Sequence, residues 1–303
     1  MDILLNQIKR TWMPLFSLLG LFLFSSCVNE EHADEKGLSV SLTWQDPADK
    51  ETEVEDVRMW VYAADGSLVS FSQQGSAAAS ANERFQLPQG EYRILTTTNL
   101  LPPFTFGSTT RAADPGTETR IGLQNPKVVD QNAFFGIVDV TIQNANTYTV
   151  VENPLKGVLA ELALQIEGIP AGTRLMGTVK NAALWLYPML KNSEGEYGKT
   201  SEETEEVEIS MFELLDDTGQ TKPVLLMPTG DKQGNSLLQL RIVLPDGTEK
   251  VSEIKAPLMK VGGKYLIQLR YDEIKTDMTL SSVKIDDWTE GWVYYGEIFD
   301  PEE

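Results

Sequence analysis

The chain offers few side chains for covalent or acid–base chemistry. It contains one cysteine, Cys27, and one histidine, His32. A lone histidine in a polar stretch argues against Ser-His-Asp hydrolysis, histidine-based proton transfer and the usual His/Cys zinc sites together. Gly262-Gly263 lacks the lysine and spacing of a phosphate-cradling loop. Carboxylates are abundant, and by count alone they leave a glycosidase pair open. The densest set is Asp46, Asp49, Glu51, Glu53, Glu55 and Asp56. It lacks the alternating aspartates, glycine and closing glutamate of a calcium loop, so it reads as a solvated acidic loop. Asp286-Asp287 beside Trp288 suggests sugar handling, but a tryptophan that plugs a core next to two solvated aspartates is preferred. Stacking is the remaining chemistry. Trp44, Trp60, Trp185, Trp288 and Trp292 each fall in or beside an expected strand, where tryptophan usually packs. A glycan-stacking platform that includes Trp60 and Trp292 is the alternative. No catalytic residue, metal site or cofactor is expected.

Cys27 stands apart because of what precedes it. Lys9 and Arg10 lead into the apolar run Met13–Phe24, which ends on Ser25-Ser26-Cys27. A membrane-spanning helix needs about 20 apolar residues, and this run is too short. Basic, short apolar and small residues in that order read as a secretory signal. Leu23-Phe24-Ser25-Ser26-Cys27 resembles a bacterial lipoprotein lipobox, with Phe24 where leucine is usual. That resemblance implies removal of residues 1–26 and acylation of Cys27 on its sulfur and its new amino group, a palmitate-type anchor. An ordinary secretory signal that happens to end near a cysteine is the plain alternative. Val28 to Lys36, with Glu30, Glu31, Asp34 and Glu35, follows as an acidic stretch. It is similar to the surface-export signal of lipoproteins in Bacteroides-like bacteria, and its composition also suits a disordered tether.

Without residues 1–26, 277 of the 303 residues remain, enough for two domains. Acidic side chains number 45 against 25 basic ones, a net charge of −20; loss of Asp2, Lys9 and Arg10 with the signal makes it −21. Phosphate binding needs clustered Lys and Arg, so nucleic acid is not an expected partner. With Cys27 acylated no thiol is left for a disulfide, and stability must come from packed cores.

Strand signals fill the rest. Leu38, Val40, Leu42 and Trp44 alternate with polar residues, and Val57–Tyr62 sets Val57, Met59 and Val61 on one face and Arg58, Trp60 and Tyr62 on the other before Asp65-Gly66 turns it back into Leu68–Phe71. Residues 72–84 read as a loop or weak helix, and Tyr92–Thr98 as a strand. Asn99–Gly107, with Pro102-Pro103, is a connection or an edge strand. Residues 108–132 read as loop, and Phe134–Ile142 as a strand. Asn144-Ala145-Asn146 is the best domain break. Tyr148–Val151, Leu162–Ile166, Thr173–Tyr187, Val224–Met227, Leu237–Leu244, Glu249–Ile254, Lys264–Tyr271, Ser282–Ile285 and Trp292–Ile298 are the later strand segments. The Glu-rich residues 191–208 read as a mobile excursion. Gly-x-Tyr opens a strand in both halves, at Gly90-Glu91-Tyr92 and Gly263-Lys264-Tyr265. Strands at this spacing, with no long helical period, argue for tandem all-β sandwiches.

The lipobox and acidic tether, Leu38-Ser39-Val40, Val57–Tyr62 with Asp65-Gly66, and Leu87-Pro88-Gln89-Gly90-Glu91-Tyr92 with Asn99 resemble the first domain of fimbrillin-associated lipoproteins. Pro228-Thr229, Lys264–Tyr271 and Ile285-Asp286-Asp287-Trp288 resemble the second. The family comprises minor subunits and anchors of type V fimbriae in Bacteroides-like bacteria. The resemblance implies two transthyretin-like Greek-key β-sandwiches and no enzymatic activity. The expected layout is a signal at 1–26, acylated cysteine and tether at 27–36, an N-terminal sandwich at 37–146 and a C-terminal sandwich at 147–303. The resemblance also implies a surface-facing outer-membrane lipoprotein that acts in adhesion and fimbrial assembly, with other fimbrial subunits as partners through strand exchange. In the family's pilins an arginine-specific protease removes the first strand, whereas anchors keep it. Arg111 and Arg120 do not follow a first strand here, and Trp292–Phe299 reads either as a last core strand or as a donor. The alternative function is a glycan-binding outer-membrane lipoprotein of a polysaccharide-uptake system.

Overall fold

A computed structural model describes residues 36–107, 119–125, 127–215, 219–279 and 284–285. The first half contributes β1 (Gly37–Trp44), β2 (Val57–Ala63), β3 (Leu68–Gln74), helix α1 (Ala77–Ala81), β4 (Gly90–Thr98), β5 (Phe104–Phe106), β6 (Ile121–Leu123), β7 (Phe134–Ile142) and β8 (Tyr148–Gly157). After it come β9 (Ala160–Glu167), β10 (Arg174–Ala183), β11 (Leu186–Lys191), β12 (Tyr197–Thr200), β13 (Thr204–Phe212) and β14 (Val224–Leu226). The last are β15 (Ser236–Val243), β16 (Glu249–Ala256), β17 (Lys264–Arg270), β18 (Asp277–Thr279) and β19 (Lys284–Ile285). The protein is all-β, as its alternating pattern predicts.

One sheet runs β1-β8-β7-β4-β2-β3. Its members do not lie in one plane. β8 pairs with β1 along eight parallel positions but meets β7 only at Phe134–Gly157 and Phe135–Lys156. β1 therefore swings over the face of the others, and Leu38 and Val40 pack with Val57, Met59, Val61 and Ile94 in one apolar core. The opposite faces of β2 and β4, with Trp60, Tyr62 and Leu95, belong to a second, larger core. It is covered there by a sheet ordered β12-β11-β6-β5, which draws β5 and β6 from the first half and β11 and β12 from the second.

In the second half β14-β9-β17-β19 faces β13-β10-β15-β16-β18. Leu162, Leu164, Ile166, Ile267 and Leu269 on one side share a core with Leu175, Val179, Val207, Ile209, Leu240 and Ile242 on the other. Side chains on a strand alternate between faces, so each inner face is apolar and each outer face polar.

Local signals fold as expected where they are chemical. Gly66 takes φ +82° at the Asp65-Gly66 turn, and Asp65 accepts a hydrogen bond from Ser67 N–H at 2.9 Å. Each Gly-x-Tyr motif does the same local work. The Tyr92 hydroxyl donates to Pro88 O at 2.9 Å, and the Tyr265 hydroxyl accepts from Lys260 N–H at 2.5 Å. Both tie a strand start to the turn just before it.

Two readings change. The Glu-rich residues 191–208 do not form an excursion. They hold β12 and the first half of β13, whose Val207 and Ile209 point into the core while Glu206 and Glu208 face water. Residues 108–132 contain β6, with Ile121 fully buried. Asn144–Asn146 is the turn between β7 and β8, closed by Thr147 N–H to Asn144 O at 3.2 Å. β8 then pairs with β1 and with the start of β7, and Gly157 leads into β9.

Candidate functional site

The feature that sets this fold apart is how β1 is held, since it is the first strand after the expected tether. Gly37 begins it at φ +110°, a conformation natural to glycine. A Cβ there would lie 2.8 Å from Gln86 Nε2 and 2.9 Å from Phe85 O, so the position is closed to other residues. Gln86 Nε2 donates to Lys36 O at 2.9 Å and fixes the entry point. Leu38 and Phe85 exchange both main-chain hydrogen bonds at 2.9 Å. The segment after α1 adds a second grip. Arg84 donates to Ser39 Oγ at 3.0 Å and to Ala81 O at 2.9 Å, and Ser39 donates to Ala81 O at 3.2 Å. Leu38 and Val40 are buried inside.

At its far end β1 is locked to the second half. Gln45 N–H donates to Leu155 O at 2.8 Å, and the Trp44 ring meets Phe134 edge-on at 4.8 Å. A 3-10 turn over Pro47–Glu51 follows, with Asp46 as its cap, accepting from Ala48 N–H at 2.8 Å. Lys264, at the start of β17, reaches Asp46 at 2.6 Å and Asp49 at 3.1 Å. Beside it on β9 lies Glu161, paired in register with Lys264. Burial raises Asp49 and Glu161 above ordinary carboxylates, outweighing the pull of Lys264. Burial also pulls Asp46 upward, yet its bonds from Lys264 and the Ala48 N–H hold it below its ordinary value. Burial pulls Lys264 down, and Asp46 and Asp49 more than restore it, so its ammonium is held above its usual value. The acidic set at 46–56 is thus divided. Asp46 and Asp49 serve this clamp, Asp56 holds Arg58 at 3.0 Å, and Glu51, Glu53 and Glu55 are exposed.

The clamp sets a test. Removing one partner of a partly buried pair leaves uncompensated charge, and Lys264→Met is expected to cost about 2 kcal/mol at pH 7. Lys264 is raised, so its contribution is present below the unfolded lysine value and is lost only as pH rises through the folded one. In the variant Asp46, Asp49 and Glu161 lose their counter-charge, and protonation relieves them. The deficit against the parent should therefore shrink as pH falls through the carboxylate range. Urea midpoints for both proteins across pH 4–7 measure this, and a deficit that widens toward acid contradicts it.

The expected binding residues lie elsewhere. Trp60 is 4% exposed, its ring stacked on Phe106 at 4.8 Å and tilted against Phe71 at 5.3 Å. Neighbouring rings cover it, and Trp60 packs in the core, the usual place for a strand tryptophan. Trp185 carries the Arg120 guanidinium over its ring at 4.2 Å, and Arg120 directly precedes β6. Cys27, His32, Arg111, Asp286, Asp287, Trp288 and Trp292 fall outside the described residues. A cleft of about 610 Å³ opens between the halves, lined by Glu53, Pro103, Phe104, Asp130, Glu161 and Lys264. Among exposed strand edges, β3 is notable. It ends its sheet, carries no charged residue, and leaves Val69 and Phe71 about half exposed.

A doubly gripped first strand on a two-sandwich body invites comparison. The family model described as "Fimbrillin-A associated anchor proteins Mfa1 and Mfa2" matches residues 30–293. The chain belongs to this family. It is the family that the strand and turn motifs resemble, and membership makes the chain a fimbrial accessory protein. Comparison with curated proteins returns no match. A crystal structure from Bacteroides thetaiotaomicron, described as a candidate polysaccharide-binding protein, aligns at TM-score 0.57 and 10% identity, covering 88% of this chain and 99% of that one. A candidate adhesin from the same species aligns at TM-score 0.51 and 12% identity, covering 83% and 96%. Another from Bacteroides ovatus aligns at 0.50 and 12%, covering 88% and 95%. At such identities these matches speak to fold, and they place the two-sandwich architecture among adhesin-like structures. No local signal in the sequence foretells the Lys264 clamp. Asp49 and Lys264 are 215 residues apart.

Proposed function

We propose that this protein is the lipid-tethered anchor or minor subunit of a fimbria, with no catalytic role. The reading joins Cys27, acylated and set in the outer membrane, through the acidic tether at 27–36 to the N-terminal sandwich. Fully burying acyl chain contributes about 0.8 kcal/mol per methylene, and one chain alone binds only marginally, so triacylation exceeds what stable attachment needs. The acidic tether orients the body to the cell surface. The single observation that carries the reading is the occupied β1 position in a member of the anchor family. A subunit whose first strand is buried, hydrogen-bonded on both flanks and clamped at its far end keeps that strand and the tether attached to it. Its own groove is filled, so a neighbouring subunit adds at an open edge, where unpaired main-chain groups and apolar side chains accept a strand. Trp60 has no part in this, and glycan stacking is not needed to account for it.

Mass spectrometry of the mature amino-terminal peptide tests the anchor. Acyl mass on Cys27 is expected, and the Cys27→Ser variant should leave the membrane fraction. An unmodified thiol at Cys27 in protein taken from membranes refutes the lipid part. Co-purification with sheared surface filaments tests the fimbrial part, and a protein absent from filament preparations, yet abundant on cells, refutes that.

A further inference from the structure

We infer that β1 is a shear clamp, a strand whose pairing direction lets the tether bear tension. The inference rests on the anchor reading for its purpose but on the strand register for its mechanics. Tension enters at Gly37, the end of β1 nearest the expected lipid. It leaves the ladder through the far end of β8, because Gly157 leads directly into β9 and the second sandwich. β1 and β8 run parallel, from Gly37 opposite Tyr148 to Trp44 opposite Leu155. The entry and exit points thus sit at opposite ends of the same ladder. Pulling on them slides one strand along the other, and every hydrogen bond of the ladder must give way together. Were the pairing antiparallel, both points would share one end, and the bonds would peel in sequence at low force.

The remaining contacts fit this loading. Any slip of β1 toward its amino end must drag Trp44 off Phe134 and draw Asp46 and Asp49 away from Lys264. These contacts lie at the trailing end of the strand, where they resist slip directly. The Leu38–Phe85 bonds and the Arg84 contacts hold the leading end to a separate segment. Lys264 sits on β17, which pairs in parallel with β9 over seven positions, so the clamp hands its load to the same strand that continues β8.

Single-molecule pulling tests this on the unacylated chain beginning at Cys27, whose sole thiol serves as one handle. The second handle is placed either at Gln268→Cys, exposed on β17, or at Asn146→Cys, exposed beside the start of β8. The first pair loads the ladder in shear, and the second peels it from Gly37. The first force peak is expected to be roughly threefold higher, or more, in the Gln268 geometry, because forced opening follows the barrier along the pulled direction. Lys264→Met should lower that peak and leave the Asn146 peak unchanged. Equal peaks in the two geometries, or a Gln268 peak indifferent to Lys264→Met, overturn the clamp. The protein here carries no lipid, so such a failure is separate from any failure of the anchor reading, which mass spectrometry of Cys27 decides alone.

Discussion

Trp60→Ala is expected to destabilise the protein by about 3–5 kcal/mol, the range for emptying a large aromatic from a packed core. The ring is 4% exposed, stacked on Phe106 and flanked by Phe71, in the same core as Leu95 and Ile121. Its neighbours sit on strands of two sheets, so the hole cannot close without disturbing both. Total stabilities of native domains are about 5–15 kcal/mol, so the loss is a large fraction. A urea midpoint that falls with an unchanged slope would register it. The result also separates packing from recognition. A tryptophan used for stacking sugars stands exposed, and its truncation costs little stability while abolishing binding. If Trp60→Ala left the midpoint within about 0.5 kcal/mol of the parent, as for an ordinary surface change, the core assignment would fall.

The same residue shows what a sequence can and cannot disclose. Trp60 alternates with Val57, Met59 and Val61, and the period-2 pattern correctly places it on a strand and on the opposite face from them. It does not reveal that this second face is also covered, since the cover comes from β5 and β6 and, through them, from β11 and β12. Strands buried on both faces lose the polar half of their alternation only in part. Arg58 remains at the margin, held by Asp56.

Glu205, Glu206 and Glu208 misled in the other direction. Their charge suggested a solvated excursion, while Val207 and Ile209, two residues apart, carried the true signal for β13. Pro154 lies inside β8. β8 continues past it because Leu155 turns its main-chain groups toward β1 and Pro154 turns its nitrogen to the other side, where β7 no longer pairs, so the missing N–H has no partner to forgo. β18, by contrast, falls between the expected strands Lys264–Tyr271 and Ser282–Ile285 and pairs with β16 for only three positions. Turn chemistry was legible at Asp65-Gly66 and at Pro245-Asp246-Gly247, where Leu244 N–H bonds Thr248 O at 2.8 Å. Parallel pairing between β1 and β8 was not legible, for no local property of either strand encodes a partner more than a hundred residues away.

Leu38→Ala is expected to cost about 2–5 kcal/mol, as for a buried leucine whose cavity is retained. Leu38 is fully buried and lies one residue from the tether entry, in a core that joins β1 to Val57, Met59 and Ile94. Truncating it weakens the apolar grip at the amino-terminal end of the strand, while the Lys264 clamp at the other end stays intact. The loss should therefore concentrate on β1. Hydrogen exchange at the Ser41 and Thr43 amides, which by strand alternation face β8 like those of Gly37 and Gln45, should rise more than exchange at Ile94 in β4, which keeps β2 and β7 as neighbours on both sides. A freed β1 also leaves β8 with an unpaired edge and an apolar groove beneath it, the combination that invites edge-to-edge association. Size-exclusion chromatography of the variant should show dimers or larger species that the parent lacks. Val150→Ala, at an exposed position on β8, is the matched control and should stay within about 0.5 kcal/mol of the parent. If Leu38→Ala unfolds every strand together, with no selective exchange at β1 and no association, then the first strand is an inseparable part of the sandwich core and not a gripped element laid across it.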